Sequence, residues 1–165
     1  MLQFVRPESK YIKSHWEALD EICKEGAYLG ADQAFPLEST IEFVTKIIEK
    51  DIPQLLVIDT ETDRCVGWCD AVPKEADPTI GCIGTGLLKS YREQGIGTRL
   101  LQDVIALARQ YGYQKLELDV RALNKRAIHV YEKLGFTAYN VLKDGYTSTD
   151  KRIVEDVIQM ELQLT

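Results

Sequence analysis

The sequence predicts an α/β fold: a single domain with a mixed, partly parallel central sheet flanked by helices. Three observations predict it. Four segments carry apolar residues at helical spacing, seven short segments are typical of strands, and the two kinds alternate in the second half of the chain. At 165 residues, 45% of them hydrophobic, the chain is long enough to bury one substantial core. The predicted order is β-αα-β-β-β-α-β-α-β-β.

The chain begins with a short strand and two amphipathic helices. The strand covers residues 4–6 and ends at a proline. We expect Ser9 or Ser14 to cap the first helix, and the second helix to begin at Ser39 or Thr40 and to end near residue 50. The two helices form either a flap over a binding site or a plain cover for the sheet.

A hairpin and a glycine-rich strand follow. Residues 54–59 and 64–71 are predicted to pair through a polar turn, and residues 80–88 form the next strand. That strand contains Gly81, Gly84 and Gly86. Glycine weakens a strand, so a bulge, the close approach of a ligand, or tight packing against a helix must explain them.

The second half of the chain alternates helices and strands. The predicted helices cover residues 97–111 and 124–134, and each ends at a glycine. The predicted strands cover residues 115–120, 136–142 and 154–164, with a turn at Asp144 and Gly145.

Composition excludes several functional classes. The net charge of −6 argues against general nucleic-acid binding and favours solubility, with attraction of a cationic substrate as the alternative. No apolar run is long enough for a membrane span, and the N-terminus lacks the pattern of a signal peptide, so we expect a cytoplasmic protein. Four cysteines without a Cys-x-x-Cys pair, beside two histidines, predict buried free thiols and no metal site.

Residues 87–101 contain the first candidate binding motif of the chain. They read as a strand end, a turn with Gly95 and Gly97, and the start of a helix. Free N–H groups and the positive end of the helix dipole make such a turn a site for phosphate. The turn therefore predicts a phosphate-bearing cofactor.

A second group of residues lies on the helix predicted at 124–134. Asn124, Ala127 and Tyr131 share one face of it. Such a face suits a ligand that Asn124 hydrogen-bonds, Ala127 admits and Tyr131 protonates. The alternative is a capping asparagine and a packing tyrosine.

The two motifs together resemble the GNAT superfamily of acetyl-CoA-dependent N-acetyltransferases. The first is Arg92-Glu93-Gln94-Gly95-Ile96-Gly97, similar to that family's acyl-CoA signature. The second runs from Asn124 through Ala127 and Tyr131 to Phe136. The resemblance implies a GNAT-like N-acetyltransferase domain over residues 1–165, with acetyl-CoA as the acyl donor, a primary amine as the acceptor and no metal.

The resemblance also implies where acetyl-CoA binds. Backbone amides of the signature turn would hold its pyrophosphate: Gln94, Gly95, Ile96, Gly97 and Thr98. Arg92 and Arg99 would add positive charge. The strand end at Leu87 and Leu88 would pair with the pantetheine amides, and Asn124 would hydrogen-bond the pantetheine arm. The cofactor would lie in a cleft where the glycine-rich strand parts from a parallel neighbour, residues 115–120.

The chemistry then needs a neutral amine, a stabilised oxyanion and a proton for the leaving thiolate. A backbone N–H at Leu87 or Leu88 suits the oxyanion, and Tyr131 suits the role of general acid. The amine attacks directly through a tetrahedral intermediate, so no cysteine needs to act as a nucleophile.

The general base stays open. Some relatives use a glutamate on the strand before the signature, and residues 79–88 contain no carboxylate. The remaining candidates are Asp70, Asp77, Glu117, Asp119 and Tyr146.

Two other functions compete with this interpretation. The second hypothesis is an acyl-CoA-binding regulatory module on the same fold, and Tyr131 argues against it. A dinucleotide-dependent oxidoreductase would need a third glycine where the chain has Leu100. Acidic residues in the segments 27–36, 73–78 and 142–154 lean towards a cationic or peptide amine as acceptor. The C-terminal strands offer a surface for a homodimer.

Overall fold

A computed structural model describes residues 1–165, which fold around one seven-stranded mixed sheet with strand order β1-β2-β3-β4-β5-β7-β6. Four helices flank it, and the order of elements along the chain is the predicted one. The strands are β1 (Leu2–Val5), β2 (Gln54–Asp59), β3 (Arg64–Pro73), β4 (Ile80–Leu87), β5 (Lys115–Arg121), β6 (Thr137–Thr147) and β7 (Val154–Gln163). The helices are α1 (Ile12–Glu25), α2 (Leu37–Glu49), α3 (Ile96–Tyr111) and α4 (Lys125–Lys133).

One parallel pair divides the sheet. Strands β1 to β4 form an antiparallel meander, β4 and β5 run parallel, and β5, β7 and β6 are antiparallel again. The parallel partner expected for the glycine-rich strand is therefore confirmed. None of the helices combines the length and the hydropathy that a membrane-spanning segment requires.

The predicted caps of the first two helices are wrong. Ser9 begins a short 3₁₀ turn, and the Ser14 hydroxyl instead accepts a hydrogen bond from the Cys65 N–H at 2.8 Å. Helix α2 starts directly after Pro36, with no side-chain cap. The fixed φ of proline prepares a helix start, so Pro36 supplies what the serine was expected to provide.

The glycines of β4 make room for neighbouring side chains. A Cβ on Gly81 would lie 2.8 Å from the Tyr113 ring, and a Cβ on Gly86 would lie 2.5 Å from the Trp68 ring. The pairing of β4 with β3 is regular, so no bulge is present. Tight packing, largely against aromatic rings, explains these two glycines.

The same glycines show which helix covers each face of the sheet. Trp68, opposite Gly86, stacks on His15 of α1 with ring centroids 5.0 Å apart. Tyr113, whose ring packs against Gly81, follows the C-terminus of α3. Because residues 81 and 86 point to opposite faces of the strand, α1 and α3 cover opposite faces.

The predicted turn at Asp144 and Gly145 is wrong. Strand β6 continues through both residues, and its register with β7 shifts between Leu142 and Tyr146. Asp144 takes a positive φ of 53° there, and its N–H donates to the Asp156 carboxylate at 2.9 Å. The Asp-Gly pair therefore forms a β-bulge, and the chain reverses later, between Ser148 and Val154.

Candidate active site

Strands β4 and β5 separate and leave a cleft in the sheet. They pair only along residues 80–82 of β4, although β4 continues to Leu87 and β5 to Arg121. Beyond Cys82 the β5-facing edge of β4 has no strand partner. We call this opening the β4–β5 cleft, and its unpaired backbone offers hydrogen bonds to an extended ligand.

Only one of the two leucines at the strand end presents a free backbone donor. The Leu88 N–H donates to the Val66 carbonyl, and the Leu88 carbonyl accepts from the Tyr91 N–H, both at 2.9 Å. By the alternation of an antiparallel pair, the N–H of Leu87 then points towards the cleft. The Leu87 carbonyl accepts from Arg92 Nε at 2.8 Å. The Leu87 N–H is a free donor, because β4 has no strand partner on that edge.

The glycine turn starts α3 without a side-chain cap. Gly95 is the N-cap residue, with a φ of 77° that favours glycine. No protein acceptor bonds the N–H groups of Ile96, Gly97 and Thr98. Positions for a Cβ on Gly95 or Gly97 have no atom within 4 Å, so a ligand can approach this backbone closely. Uncapped N–H groups and the helix dipole fit a pyrophosphate.

The basic side chains near the turn have different tasks. Arg92 forms two 2.8 Å hydrogen bonds with the Glu25 carboxylate, so it ties the turn to α1. Arg99 has no carboxylate partner and lies over the Phe4 ring at 5.0 Å. It lines a depression beside the turn with Leu2, Phe4, Gln94, Gly95 and Ile96. Arg99 is therefore better placed than Arg92 to meet an anionic ligand.

On α4 the capping interpretation of Asn124 holds. Its side-chain oxygen accepts a hydrogen bond from the Ala127 N–H at 3.3 Å. The Asn124 side chain is half-buried, and its amide nitrogen makes no hydrogen bond within the chain. Asn124 therefore caps the helix and still has donors for a ligand.

Tyr131 is buried, yet its hydroxyl makes no hydrogen bond within the chain. Its ring packs on Phe136 at a centroid distance of 5.9 Å. Burial raises the pKa of Tyr131, and the nearby Cys69 thiol adds to this effect. The phenol stays protonated at neutral pH and is available as a donor.

Most of the candidate bases already form hydrogen bonds or ion pairs within the chain. Burial would raise the pKa of Glu117, but hydrogen bonds from Lys74 (2.6 Å) and Lys115 outweigh it and lower the pKa. A hydrogen bond from Thr79 lowers the pKa of the exposed Asp77.

Two further candidate bases, Asp119 and Tyr146, lie in the C-terminal part of the sheet. Asp119 is exposed and accepts from Gln159 at 3.0 Å. Tyr146 is buried under the Arg121 guanidinium, 3.8 Å from its ring centroid.

Asp70 differs from these groups. It is 5% exposed, and its Oδ2 accepts a hydrogen bond from Gln54 Nε2 at 3.1 Å. Burial raises the pKa of Asp70 from 3.8 to about 7, and hydrogen bonds from Gln54 and Gly84 only partly oppose this. A carboxyl group that titrates near neutral pH is suited to accept a proton.

A cavity of about 200 Å³ lies on the α1 face of the sheet, next to the exposed edge of β4. Its walls are mainly apolar and come from α1, the segment between α1 and α2, β3 and β4. The lining residues are Leu19, Cys23, Leu29, Gly30, Ala31, Gln33, Ala34, Phe35, Trp68, Gly84 and Thr85. Trp68 and Gln54 were not among the predicted site residues, although a glutamine at the start of an apolar strand is a signal of a buried polar contact.

Comparison with known proteins identifies the family. The sequence model described as "Acetyltransferase (GNAT) family" matches residues 16–136. The chain is 40% identical over 75 residues to the ribosomal protein bS18-alanine N-acetyltransferase of Escherichia coli K12, which is 46% of this chain and 49% of that relative. It is 29% identical over 111 residues to N-alpha-acetyltransferase 30 of Schizosaccharomyces pombe, 64% of this chain and 72% of that relative. The chain thus spans about half the length of the bacterial relative.

Solved structures share the fold along the whole chain. A GNAT-family acetyltransferase from Streptococcus pneumoniae superposes with a TM-score of 0.87 at 22% identity and covers 100% of both chains. A GNAT-superfamily phosphinothricin acetyltransferase from Sinorhizobium meliloti, in complex with acetyl-CoA, gives 0.86 at 16% identity and covers 99% of this chain and 88% of that one. The sequence match over residues 16–136, on this fold, shows that the chain belongs to the GNAT acetyltransferase family.

Proposed function

We propose that the protein transfers the acetyl group of acetyl-CoA to a primary amine. The observation that carries the proposal is the β4–β5 cleft, which leads into the uncapped start of α3. The buried Tyr131 of α4, the helix after β5, adds an unpaired hydroxyl. Family membership and two relatives named as N-acetyltransferases support it. The relatives' names also support an amino group as the acceptor.

The residues of the cleft fit the parts of acetyl-CoA. The backbone N–H groups of residues 94–98 suit the pyrophosphate, and Arg99 adds charge beside them. The unpaired edge of β4 and the free amide of Asn124 suit the amides of pantetheine. When bound, acetyl-CoA supplies an acetyl group already activated as a thioester.

Two groups of the chain act on the reaction. The Leu87 N–H points towards the cleft and would stabilise the negative charge that develops on the carbonyl oxygen when the amine attacks. The Tyr131 phenol would donate its proton to the departing thiolate sulfur. The two groups would act on the same thioester, one at its oxygen and the other at its sulfur.

The test is release of CoA thiol from acetyl-CoA with a broad panel of primary amines, run beside calorimetric measurement of CoA binding. We expect CoA binding and release of thiol with at least one acceptor. Binding without release for every amine would contradict the proposal and favour a regulatory acyl-CoA-binding module.

A charge placed in the turn tests the binding site separately. Gly97→Asp puts a carboxylate beside the pyrophosphate, and we expect the Kd for CoA to rise by roughly 10- to 100-fold. Gln102→Asp, which adds the same charge on the exposed surface of α3, is the matched control and should bind CoA normally. Equal affinity in both variants would place the pyrophosphate elsewhere.

A further inference from the structure

Three residues form a row across neighbouring strands on the α1 face of the sheet. Gln54 of β2 lies opposite Asp70 of β3, and Asp70 lies opposite Gly84 of β4. Asp70 shares its face with Trp68, two residues earlier on the same strand. The row ends at Gly84, where β4 has already parted from β5. The row therefore runs from the buried Gln54 to the edge of the β4–β5 cleft.

No cation neutralises the carboxylate of Asp70. Gln54 supplies its one side-chain hydrogen bond, and no lysine or arginine forms an ion pair with it. The titratable group that faces it from α1 is His15, whereas the Cys69 thiol and the Tyr113 phenol lie behind it on the α3 face of the sheet. Burial raises the pKa of Cys69 and Tyr113 and lowers that of His15 to about 4, so all three are neutral near pH 7. Asp70 is thus a buried carboxyl group with no ion-pair partner.

The missing side chain of Gly84 connects Asp70 with the cavity. A Cβ on Gly84 would lie 3.1 Å from Asp70 Oδ1, and Gly84 itself lines the cavity wall. Trp68, the neighbour of Asp70 on β3, lines the same cavity. Oδ1 accepts no side-chain hydrogen bond, because the Gln54 amide bonds the other oxygen, Oδ2. Gly84 also contributes a backbone hydrogen bond to the carboxylate, so Oδ1 lies against β4 beside the cavity wall and has no side-chain donor.

Side-chain contacts fix the outer wall of the cavity. Trp16 Nε1 donates to the Phe35 carbonyl at 2.7 Å. The Asp32 carboxylate accepts from the Thr149 N–H at 2.8 Å and from the Thr149 hydroxyl. The segment between α1 and α2 is thus tied both to α1 and to the β6–β7 turn. The contact with Thr149 lowers the pKa of Asp32 and holds its carboxylate at the outer wall.

We propose that this cavity binds the acceptor, a primary amine attached to a small apolar group, and that Asp70 is the catalytic residue that takes the proton from its ammonium group. The inference rests on the proposed N-acetyltransferase function and assigns its acceptor site. The apolar group fills the space beside Trp68, Leu19 and Phe35, and the nitrogen lies next to Gly84. A free amine and the N-terminal residue of a peptide share this chemistry.

The proton and electron balance is complete without a further reactant. The ammonium gives one proton to Asp70 Oδ1, and the freed nitrogen lone pair attacks the thioester carbonyl carbon. A C–N bond forms, the C–S bond breaks with its electron pair on sulfur, and the nitrogen loses its second proton to solvent. Tyr131 protonates the thiolate and is reprotonated from solvent, and Asp70 returns its proton to solvent. The sum is one amide, one CoA thiol and one released proton.

The test compares the full-length wild type with Asp70→Asn, Gly84→Ala and the exposed control Asp103→Asn. The acceptors are phenethylamine, isoamylamine, short peptides that begin with alanine or phenylalanine, and spermidine as the polycation. CoA thiol release is followed from pH 6 to 9, and acetyl-CoA binding and circular dichroism are recorded for every variant. Comparison of the free amines with the peptides shows whether the acceptor is a small free amine or the N-terminal residue of a peptide.

We expect kcat/KM for an apolar amine to exceed that for spermidine by about tenfold or more, and to level off above pH 7 in the wild type. Asp70→Asn should lower kcat/KM at pH 7 by about 100-fold, and its residual rate should keep rising with pH up to the pKa of the amine. Gly84→Ala should raise KM for the amine without changing the binding of acetyl-CoA. Asp103→Asn should match the wild type.

The outcomes separate this inference from the proposed function. Thiol release by a wild type that prefers spermidine, or Asp70→Asn activity within about threefold of the wild type, overturns the acceptor site alone. A wild type that binds acetyl-CoA and acetylates no amine overturns the proposed function and this inference with it.

Discussion

Replacing Asp70 with asparagine is expected to stabilise the protein at pH 8, although it removes most of the activity. Burial raises the pKa of Asp70 from 3.8 to about 7. In the unfolded chain this carboxyl group titrates near its ordinary value. Between about pH 4 and 7 the folded chain therefore holds a proton that the unfolded chain has lost, so the contribution of Asp70 to stability falls as pH rises through this window.

The magnitude follows from the difference between the two pKa values. About three pH units at 1.36 kcal/mol each give about 4 kcal/mol lost by pH 7 and above. Such a loss is a large part of the stability of a typical domain. Asparagine carries no charge at any pH, and its amide has a ready partner in Gln54 Oε1, which is buried without a hydrogen bond in the wild type.

His15 acts in the opposite direction. Burial lowers its pKa from 6.5 to about 4, so the folded chain binds fewer protons than the unfolded chain between these values. The stability contributed by His15 is present above pH 6.5 and is lost as pH falls towards 4, by about 3 kcal/mol. Between about pH 4 and 6.5 the two contributions to the unfolding free energy nearly cancel in the wild type. In Asp70→Asn the increase of stability with pH that His15 causes should therefore become visible.

The assay is urea unfolding of wild type, Asp70→Asn and the exposed control Asp103→Asn at pH 5, 6, 7 and 8. We expect the gain from Asp70→Asn to grow with pH up to about 7 and then to stay constant, whereas Asp103→Asn changes little. Lower stability of Asp70→Asn at pH 8, or a pH slope equal to that of the wild type, would refute a desolvated Asp70.

Three further substitutions test other parts of the structure. Tyr131→Phe removes a hydroxyl without a partner in the chain, so kcat should fall by about 100-fold or more while the unfolding free energy changes by less than about 0.5 kcal/mol. Gly86→Ala pushes a methyl group against Trp68, which costs about 1–3 kcal/mol in thermal unfolding and raises KM for the amine. Glu155→Gln removes the carboxylate that neutralises the buried Arg121 at 2.8 Å and costs about 3–5 kcal/mol in chemical denaturation, because the guanidinium charge stays buried without a counter-charge.

Each of these has an outcome that contradicts it. Normal turnover by Tyr131→Phe would remove the general-acid role while leaving the enzyme activity intact. Unchanged stability of Gly86→Ala would mean that the Trp68 ring moves freely. For Glu155→Gln the control is Arg152→Gln, which breaks an exposed ion pair at 3.8 Å and should cost less than about 1 kcal/mol. Equal losses in the two variants would show that burial of the pair is irrelevant.

The order of elements was predictable from sequence because the relevant signals are local. Helical spacing, C-terminal glycines and the polar turn between β2 and β3 depend on neighbouring residues only. The same holds for the turn at Gly95, whose backbone conformation reflects its own residue type. The GNAT resemblance rests on these local motifs, and the family comparison confirms it.

The errors arose where tertiary contacts decide. An Asp-Gly pair indicates a turn, but pairing with β7 carries β6 past Gly145 and converts the signal into a bulge. Ser14 serves β3 instead of its own helix. Nothing in the sequence near Arg92 shows that Glu25, 67 positions earlier, will occupy its guanidinium.

Asp70 shows the limit most clearly for the active site. In the sequence it was one of several candidate bases of similar standing. Its distinction comes from the strand register, which sets Gln54 on one side and a glycine on the other and leaves no cation nearby. Burial and register are properties of the folded chain, so the raised pKa of this carboxyl group followed only from the structure.

The most direct test of the proposed function is the fate of a labelled acetyl group. Wild-type protein is incubated with acetyl-CoA carrying ¹³C in the acetyl group and with an amine that supports thiol release, and all products are weighed by mass spectrometry. We predict labelled N-acetyl amine and free CoA in equal amounts, with no label on the protein. Label retained on a cysteine, or loss of the thioester without a labelled amide, would contradict direct transfer to an amine.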